Sequence, residues 1–325
     1  MDEQKGLHGI KTYSINKRVS KVNVNDFSRP MEAGQSMDLF FNSLPDILAG
    51  KTLRSVINAV VSAHRKQRGV VWAIGAHVIK CGLNPILIDL VENNIITALV
   101  VNGACLVHDF EIAFFGRTSE DVEKGLKAGE FGMAQETGSM LNKAINDGVC
   151  KSLGIGEAVG RWIMEKKPDF LEYSILASAA KKGIPITAHI AIGTDIIHMH
   201  PEADGECLGI GCLRDFHNLT TIIKTLDNGG IYFNIGSAVI LPEVFLKAVT
   251  MVINLGSPLN DFTTVNMDFI QHYRPTQNVV KRPVLGRGNG YTLIGHHEIM
   301  IPLLAAGIKE GISAKESNEA GQIDA

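Results

Sequence analysis

Short apolar runs rich in β-branched residues, separated by segments of helical periodicity, constrain the fold of this chain more than any other feature. Runs of this kind without polar alternation are typical of strands buried on both faces, and strands that alternate with helices are typical of a parallel sheet. We therefore predict an α/β fold with a doubly wound, mainly parallel sheet and helices on both faces. The predicted strands are 70–75, 97–103, 184–192, 230–236 and 262–267.

The rest of the chain predicts one domain with an arm at one end and a tail at the other. Residues 1–34 are polar and irregular, so we predict an N-terminal arm that lies over the body or over a neighbouring subunit. Helical periodicity begins at Met37 and indicates an N-terminal helical extension. No repeat and no Gly/Ser-rich linker interrupts the sequence, which predicts a single domain over 35–311 and a polar C-terminal tail over 312–325.

Composition narrows the class of partner. The chain has 31 Lys and Arg against 34 Asp and Glu, a net charge of −3, so no basic face is expected and nucleic acid is not a predicted partner. The five cysteines are odd in number and form no CxxC pair, which favours a reducing compartment. No apolar run reaches the roughly 18 residues of a membrane span, and the N-terminus lacks an apolar signal segment, so we predict a cytoplasmic protein that acts on a small molecule.

The loops that follow the predicted strands are the candidate ligand-binding segments. In a doubly wound sheet, ligands bind beyond the carboxyl ends of the strands, where the strand order reverses. These loops are 75–82, 102–111, 193–205, 234–243 and the stretch 271–290, which is rich in Gly, Pro and Arg and is predicted to be a loop.

Taken together, these loops resemble the deoxyhypusine synthase family, in its divergent deoxyhypusine synthase-like branch. The resemblance runs from VNVNDFSRP (22–30) to IPLLAAGI (301–308) and is strongest over 75–111, with a second match at TDIIHMH (194–200). It implies a Rossmann-like fold, NAD as cofactor and a homotetramer with active sites between subunits. It also implies a reaction in which NAD oxidises spermidine and an enzyme lysine carries the aminobutyl group, as an imine, to a lysine of a translation initiation factor.

The resemblance implies NAD contacts at the strand ends. His77 and Lys80 stand where the family has small polar residues that contact NAD. Lys80 pairs with a phosphate in this interpretation, while the alternative is a solvated lysine at a helix start. Asn102 and Gly103 match the strand-end residues beside the nicotinamide nucleotide. Asp195 matches the first carboxylate of its loop, where it either accepts ribose hydroxyls or satisfies its own backbone. The remaining implied contacts are Gly236 and Ser237 in the glycine-rich loop.

Three residues are the implied substrate contacts, and they depart from the family pattern. His108 stands where the family has an acidic residue, with Asp109 beside it and Glu111 as a possible substitute or a carboxylate at a helix start. His200 stands at the second acidic position of its loop. The departure at His108 affects recognition of the ribose. Loss of the acidic group at position 200 predicts a substrate whose charge pattern differs from that of spermidine.

Two further positions concern the covalent chemistry. The family's histidine after the glycine-rich loop has no counterpart here, so a proton-transferring imidazole is missing unless another part of the chain supplies one. The stretch that corresponds to the family's catalytic lysine contains Lys281, with Arg274 and Arg282 nearby in sequence. Lys281 is therefore the candidate imine carrier, and the alternative is an exposed surface lysine.

Three functions remain open. The first is an NAD-dependent transferase that oxidises a small amine or polyamine and passes the group to a small amine or a protein lysine. The second is an NAD-binding protein that has lost the covalent chemistry. The third is a metal-dependent hydrolase, although the sequence contains no spaced ligand motif and we predict no metal site. Its candidate ligands are His198, His200, His296, His297 and Glu298.

Overall fold

A computed structural model describes residues 9–323, with side chains described through Ser313. The chain forms one six-stranded sheet in the order β3-β2-β1-β4-β5-β6, and every neighbouring pair is parallel. This order and direction confirm the predicted Rossmann-like, doubly wound α/β fold. The strands are β1 (Val70–Ile74), β2 (Ala98–Asn102), β3 (Ile186–His189), β4 (Ile231–Ile235), β5 (Phe262–Asp268) and β6 (Gly288–Ile294).

Helices connect the strands and cover the sheet. The first two precede the sheet, as the predicted N-terminal helical extension requires, and the last follows β6. The α-helices are α1 (Met37–Ser43), α2 (Leu48–Arg65), α3 (His77–Lys80), α4 (Asn84–Glu92), α5 (Gly103–Phe115), α6 (Val122–Ala128), α7 (Gln135–Cys150), α8 (Ile155–Lys166), α9 (Ile175–Lys182), α10 (Gly205–Lys224), α11 (Ile240–Asn254), α12 (Tyr273–Pro275) and α13 (His297–Ile323).

The core lies on both faces of the sheet. Along β1, Trp72 packs into the cluster on one face, where its ring centroid lies 5.0 Å from that of Phe233. Val71 points to the opposite face, where the Tyr232 ring stacks on Phe245 at 3.8 Å. Side chains alternate between the faces of a strand, and helices cover both faces here. This double burial explains why the strand sequences lack polar alternation.

The structure corrects the expectation for residues 271–290, which were predicted to form a loop. Helix α12 and a π-helix (Thr276–Lys281) occupy the first half, and β6 begins at Gly288. The sequence pattern missed β6 because GNGYTLI lacks a continuous apolar run. Strand β6 lies at the edge of the sheet and pairs with β5 from Phe262–Gly288 to Asp268–Ile294. Backbone hydrogen bonds to this buried neighbour hold β6 in the sheet, although its own sequence has no strand pattern.

The two ends of the chain differ in structure. Residues 9–36 are exposed apart from half-buried Asp26, and they form two short 3-10 turns (Ile15–Lys17 and Val24–Asp26). At the other end, α13 continues to Ile323, so the described part of the predicted tail is helical. The domain boundaries, and the placement of the arm over a neighbouring subunit, stay predictions. No helix in the described part of the chain is long and apolar enough to cross a bilayer.

Candidate functional site

The strand order reverses between β1 and β4, and this edge carries two glycines in close approach. Gly75 follows β1 and donates its N–H to the Ile235 carbonyl at 2.8 Å. A Cβ at Gly75 would overlap the Gly236 carbonyl oxygen, and Gly236 itself has a φ of 65°. Only glycines fit this arrangement without strain. Ser237 is buried, and its hydroxyl accepts the Leu241 N–H of α11 at 3.4 Å.

A crevice beside this switch point lies between the carboxyl ends of β2 and β3. Asn102 caps α5, since its side-chain oxygen accepts the Cys105 N–H at 3.1 Å. Asp195, in the loop after β3, packs its carboxylate on Gly103 so closely that a Cβ at Gly103 would overlap Oδ2. Asp195 Oδ2 is buried and accepts no hydrogen bond from the residues described. Burial raises the pKa of Asp195 to about 6.

A cavity of about 200 Å³ opens beside Asp195. Its lining carries three carboxylates, one lysine and one imidazole, so the balance of charge suits a small cation. The predicted residues that the structure brings together here are Lys80, His108 and Asp195. The full lining is Lys80, Ala104, Val107, His108, Glu111, Ser119, Glu120, Val122, Phe131, Thr194, Asp195 and Ile196.

A hydrogen-bond network supports one wall of the cavity. The Thr137 hydroxyl donates to Glu111 Oε1 at 2.9 Å, and the Thr118 hydroxyl donates to Glu111 Oε2 at 2.5 Å. Nδ1 of His108 lies 2.6 Å from Thr118 Oγ1. Sequence reasoning named Glu111 only as a possible substitute and missed both threonines. The spacing of three residues between His108 and Glu111 on one helix is the signal for that pair, whereas the threonines come from other segments.

Burial and neighbouring charges set the titration of His108. Burial lowers the pKa of its imidazole, the nearby Glu111 carboxylate raises it, and the Lys80 ammonium lowers it further. The net effect is a pKa below the ordinary histidine value, so the imidazole is neutral at pH 7.

A second group of histidines lies near the switch point. The His297 ring is fully buried, its Nε2 lies 3.3 Å from the Met267 carbonyl, and its Cε1 would be 2.7 Å from a Cβ at Gly236. The exposed His77 ring centroid lies 5.7 Å from that of His297, and its Nε2 lies 3.4 Å from Cys81 Sγ. An imidazole from the start of α13 therefore lies against the glycine-rich loop.

His198 and His200, two of the candidate metal ligands, make separate contacts. In the part of the chain that is described, no three His, Cys, Asp or Glu side chains are grouped to hold a metal ion. His198 uses Nδ1 to accept the Gly193 N–H at 3.1 Å, and His200 lies 2.8 Å from the Gly132 carbonyl through Nε2. One nitrogen of each ring is therefore engaged by the backbone of a different segment.

Asp109 and His200, both predicted substrate contacts, lie in structural positions. The Asp109 carboxylate is fully buried and accepts hydrogen bonds from Asn84, Ser174 and the Ile175 and Leu176 N–H groups at the start of α9, at 2.6–3.3 Å. His200 is also buried, with its ring against Gly138. Neither residue lines the cavity.

Lys281 is not brought to this site within one chain. It ends the π-helix and is exposed. Two residues earlier, the Val279 carbonyl accepts the Thr264 hydroxyl at 2.7 Å. Thr264 lies four residues before the carboxyl end of β5, which corresponds to about 13 Å along the strand. Lys281 therefore lies on the side of the sheet where β6 begins, away from the cavity.

Sequence comparison confirms the resemblance to deoxyhypusine synthase-like proteins. The deoxyhypusine synthase-like protein of Chlorobaculum parvum is 26% identical over 208 residues, and that of Chlorobaculum tepidum is 25% identical over 208 residues. Each match covers 57% of this chain and spans 58% of the relative's length. No family model matches the chain.

Structural comparison shows the same fold in proteins of low sequence identity. A protein from Entamoeba histolytica assigned as a deoxyhypusine synthase has a TM-score of 0.50 at 15% identity, covering 92% of this chain and 96% of its own. AgrE, solved in a ternary complex with ornithine and NAD+, has a TM-score of 0.51 at 15% identity, covering 82% of this chain and 34% of its own. At these identities the likeness concerns the fold.

Proposed function

We propose that this protein is a deoxyhypusine synthase-like transferase that binds NAD at the carboxyl edge of its sheet, oxidises a small amine and passes the alkyl-amine group through an imine to an amine acceptor. The observation that carries the proposal is the unpartnered carboxylate oxygen of Asp195, buried against Gly103 in the crevice beside the switch point, on the carboxyl edge where doubly wound folds bind nucleotides. The Asp195 side chain also takes part in a capping box with His198, so Oδ2 is the oxygen left without a donor. A buried acceptor without a donor is costly, so a ligand donor is its expected complement.

The residues present fit NAD. Asp195 Oδ2 would accept the hydroxyls of a ribose, and at the switch point Gly75 packs directly on the backbone of Gly236, with no side chain between the two segments. The N-terminus of α5 and the Lys80 ammonium favour a phosphate. NAD, when bound, would accept a hydride from the amine-bearing carbon.

The cavity supports a cationic amine as substrate. Asp195, Glu111 and Glu120 line it with Lys80 as the one lysine of the lining. AgrE, 34% of whose chain is matched by this fold, was solved in a ternary complex with NAD+ and ornithine, an amine. The acceptor is proposed to be a small amine or a protein lysine. The homotetramer implied by the resemblance and the cytoplasmic location predicted from composition are part of the same proposal.

A second candidate function, NAD binding without covalent transfer, is favoured by one observation. Lys281, the residue that matches the family's imine carrier, is exposed and lies away from the cavity of its own chain. A protein of this second kind would bind NAD and leave amines unchanged.

The test is a calorimetric titration with NAD, followed by spermidine, putrescine and agmatine while NADH absorbance is recorded. We expect stoichiometric NAD binding, amine-dependent NADH formation in the wild type, and at least tenfold weaker NAD binding in Asp195→Asn. Asp169→Asn, the same change at an exposed position, is the matched control and should bind as the wild type does. Binding of NAD with no response to any amine would favour the second candidate, and no NAD binding would exclude both.

A further inference from the structure

The network behind the cavity determines which nitrogen of His108 carries a proton. A threonine hydroxyl has one proton to donate, and an ionised carboxylate only accepts. The Thr118 hydroxyl donates to Glu111 Oε2 at 2.5 Å, so it has no proton left for the imidazole 2.6 Å away. Nδ1 of His108 must therefore be the donor, and Thr118 Oγ1 must be its acceptor.

This assignment leaves Nε2 of His108 with a free lone pair. In a neutral imidazole only one nitrogen is protonated, and here it is Nδ1. Nε2 makes no hydrogen bond to the residues described, while the His108 side chain lines the cavity. The ring is thus oriented from behind by a hydroxyl and a carboxylate, and its basic nitrogen is available to a ligand. Thr137 keeps the carboxylate in place by donating to the other oxygen of Glu111.

The charged groups around His108 come from three other segments as well as its own helix. Glu111 lies on α5, Lys80 lies at the end of α3, Glu120 lies before α6, and Asp195 follows β3. The lysine opposes a positive charge on the ring, and Glu111, through Thr118, stabilises one. Such a ring is neutral at rest and can still accept a proton.

We propose that His108 is the proton acceptor of this cavity, a role that rests on the proposed amine chemistry. Nε2 takes one proton from the ammonium group of a bound small amine, which leaves the neutral amine and an imidazolium. The Nδ1–H of the imidazolium stays hydrogen-bonded to Thr118, and Thr118 stays hydrogen-bonded to Glu111. The neutral amine is the form whose nitrogen lone pair assists loss of a hydride from the adjacent carbon. Thr118 and Glu111 are positioning residues in this arrangement.

The first test reads the tautomer directly and needs no turnover. Protein labelled with 15N-histidine is observed by long-range 1H–15N NMR correlation. The resonances that are missing in His108→Gln are those of the His108 ring. We expect the Nδ1–H form in the wild type and in Thr118→Ser, which keeps a hydroxyl, and the ordinary Nε2–H form in Thr118→Val. An Nε2–H imidazole in the wild type would overturn the proposal.

The second test separates this proposal from the proposed function. His108→Gln should reduce amine-dependent NADH formation by about 100-fold or more while leaving the NAD dissociation constant within about twofold, because general base catalysis contributes about 10²–10⁴-fold. Thr118→Val should lose activity and shift the acidic limb of the pH–rate profile, and Thr118→Ser should restore both. Full activity in His108→Gln would refute His108 as the base. No NADH formation in the wild type would instead refute the proposed function, and the NMR measurement of the His108 tautomer would then test whether Thr118 and Glu111 orient the ring.

Discussion

The carboxylate of Asp195 lies directly on the Cα of Gly103, where it occupies the space that any side chain at position 103 would need. Gly103 begins α5 and Asp195 follows β3, so the contact joins the ends of two neighbouring strands. It places an unpartnered carboxylate oxygen at the start of a helix, where a ligand hydroxyl would supply the missing donor.

Replacement of Gly103 by alanine tests this contact. The new Cβ would overlap Asp195 Oδ2, so we expect Gly103→Ala to displace the carboxylate, weaken NAD binding by about tenfold or more and lower the free energy of unfolding by about 1–3 kcal/mol. Gly205→Ala is the matched control, because Gly205 also begins a helix and a Cβ there would meet no atom within 4 Å. Urea unfolding and calorimetric titration measure both quantities, and equal effects in the two variants would contradict the packing.

The raised pKa of Asp195 predicts a pH-dependent stability. The carboxyl binds its proton more tightly in the folded state, with a pKa of about 6 against an ordinary 3.8, so its contribution to stability falls as pH rises through that interval. Asp195→Asn removes the buried charge and should stabilise the protein at pH 7.5 by about 2–3 kcal/mol, because one pKa unit corresponds to about 1.4 kcal/mol. Below pH 4 the difference should vanish. Thermal unfolding across this range checks the sign, with Asp169→Asn expected to show no such trend.

The same substitution at Asp109 should have the opposite effect. Burial raises the pKa of Asp109 to about 6 as well, but here hydrogen bonds from Ser174, Asn84 and two backbone N–H groups oppose the shift. All of these donors point at the carboxylate, so an amide there would place its own NH2 against donors, and this loss outweighs the gain from removing the charge. We expect Asp109→Asn to lower the free energy of unfolding by about 1–3 kcal/mol and to leave NAD affinity unchanged in the folded fraction. Urea unfolding at pH 7.5 measures this loss. If Asp109→Asn were as stable as the wild type but impaired in amine oxidation, Asp109 would be a substrate contact and not a structural residue.

Two lysines provide a matched pair for ligand binding. Lys80 lines the cavity, whereas Lys281 is exposed near the beginning of β6, away from the carboxyl ends of the strands. We expect Lys80→Gln to weaken NAD binding by about fivefold, since an exposed charge contact contributes about 1 kcal/mol, and Lys281→Gln to bind NAD as the wild type does. Calorimetry compares the two variants.

Transfer of the amine group is measured separately in the Lys281 variant. A Lys281→Gln protein that forms NADH but transfers no group would show that Lys281 of another copy of the chain reaches the cavity. Unchanged transfer would exclude Lys281 as the imine carrier.

The sequence predicted the sheet well where burial alone defines a strand. Strands β1, β2 and β4 are fully or nearly fully buried, and their apolar runs could be read without any knowledge of their neighbours. Strand β6 could not, because its residues carry no apolar run and its structure depends on pairing with β5. The prediction for 184–192 was longer than β3, which ends at His189 before the loop that carries Asp195.

His108 and Asp109 show where sequence reasoning about the site reached its limit. They are adjacent on α5, yet His108 lines the cavity and Asp109 is buried against the start of α9. Successive residues on a helix point about 100° apart, so a neighbouring position in sequence does not imply a shared site. The resemblance marked both positions, and only the packing of α9 and of the Thr118 segment separates them.

The alternation of strands and helices, the glycines at the strand ends and the resemblance to deoxyhypusine synthase-like proteins could all be identified before the fold was known. They depend only on local periodicity and residue type. The tertiary structure decided which polar groups meet. Thr118 and Thr137 reach Glu111, Asp195 reaches Gly103, and Lys281 remains apart from all of them. The reason is physical: hydrogen bonding and the burial of charge depend on contacts between segments distant in the chain, and only the folded backbone sets those contacts.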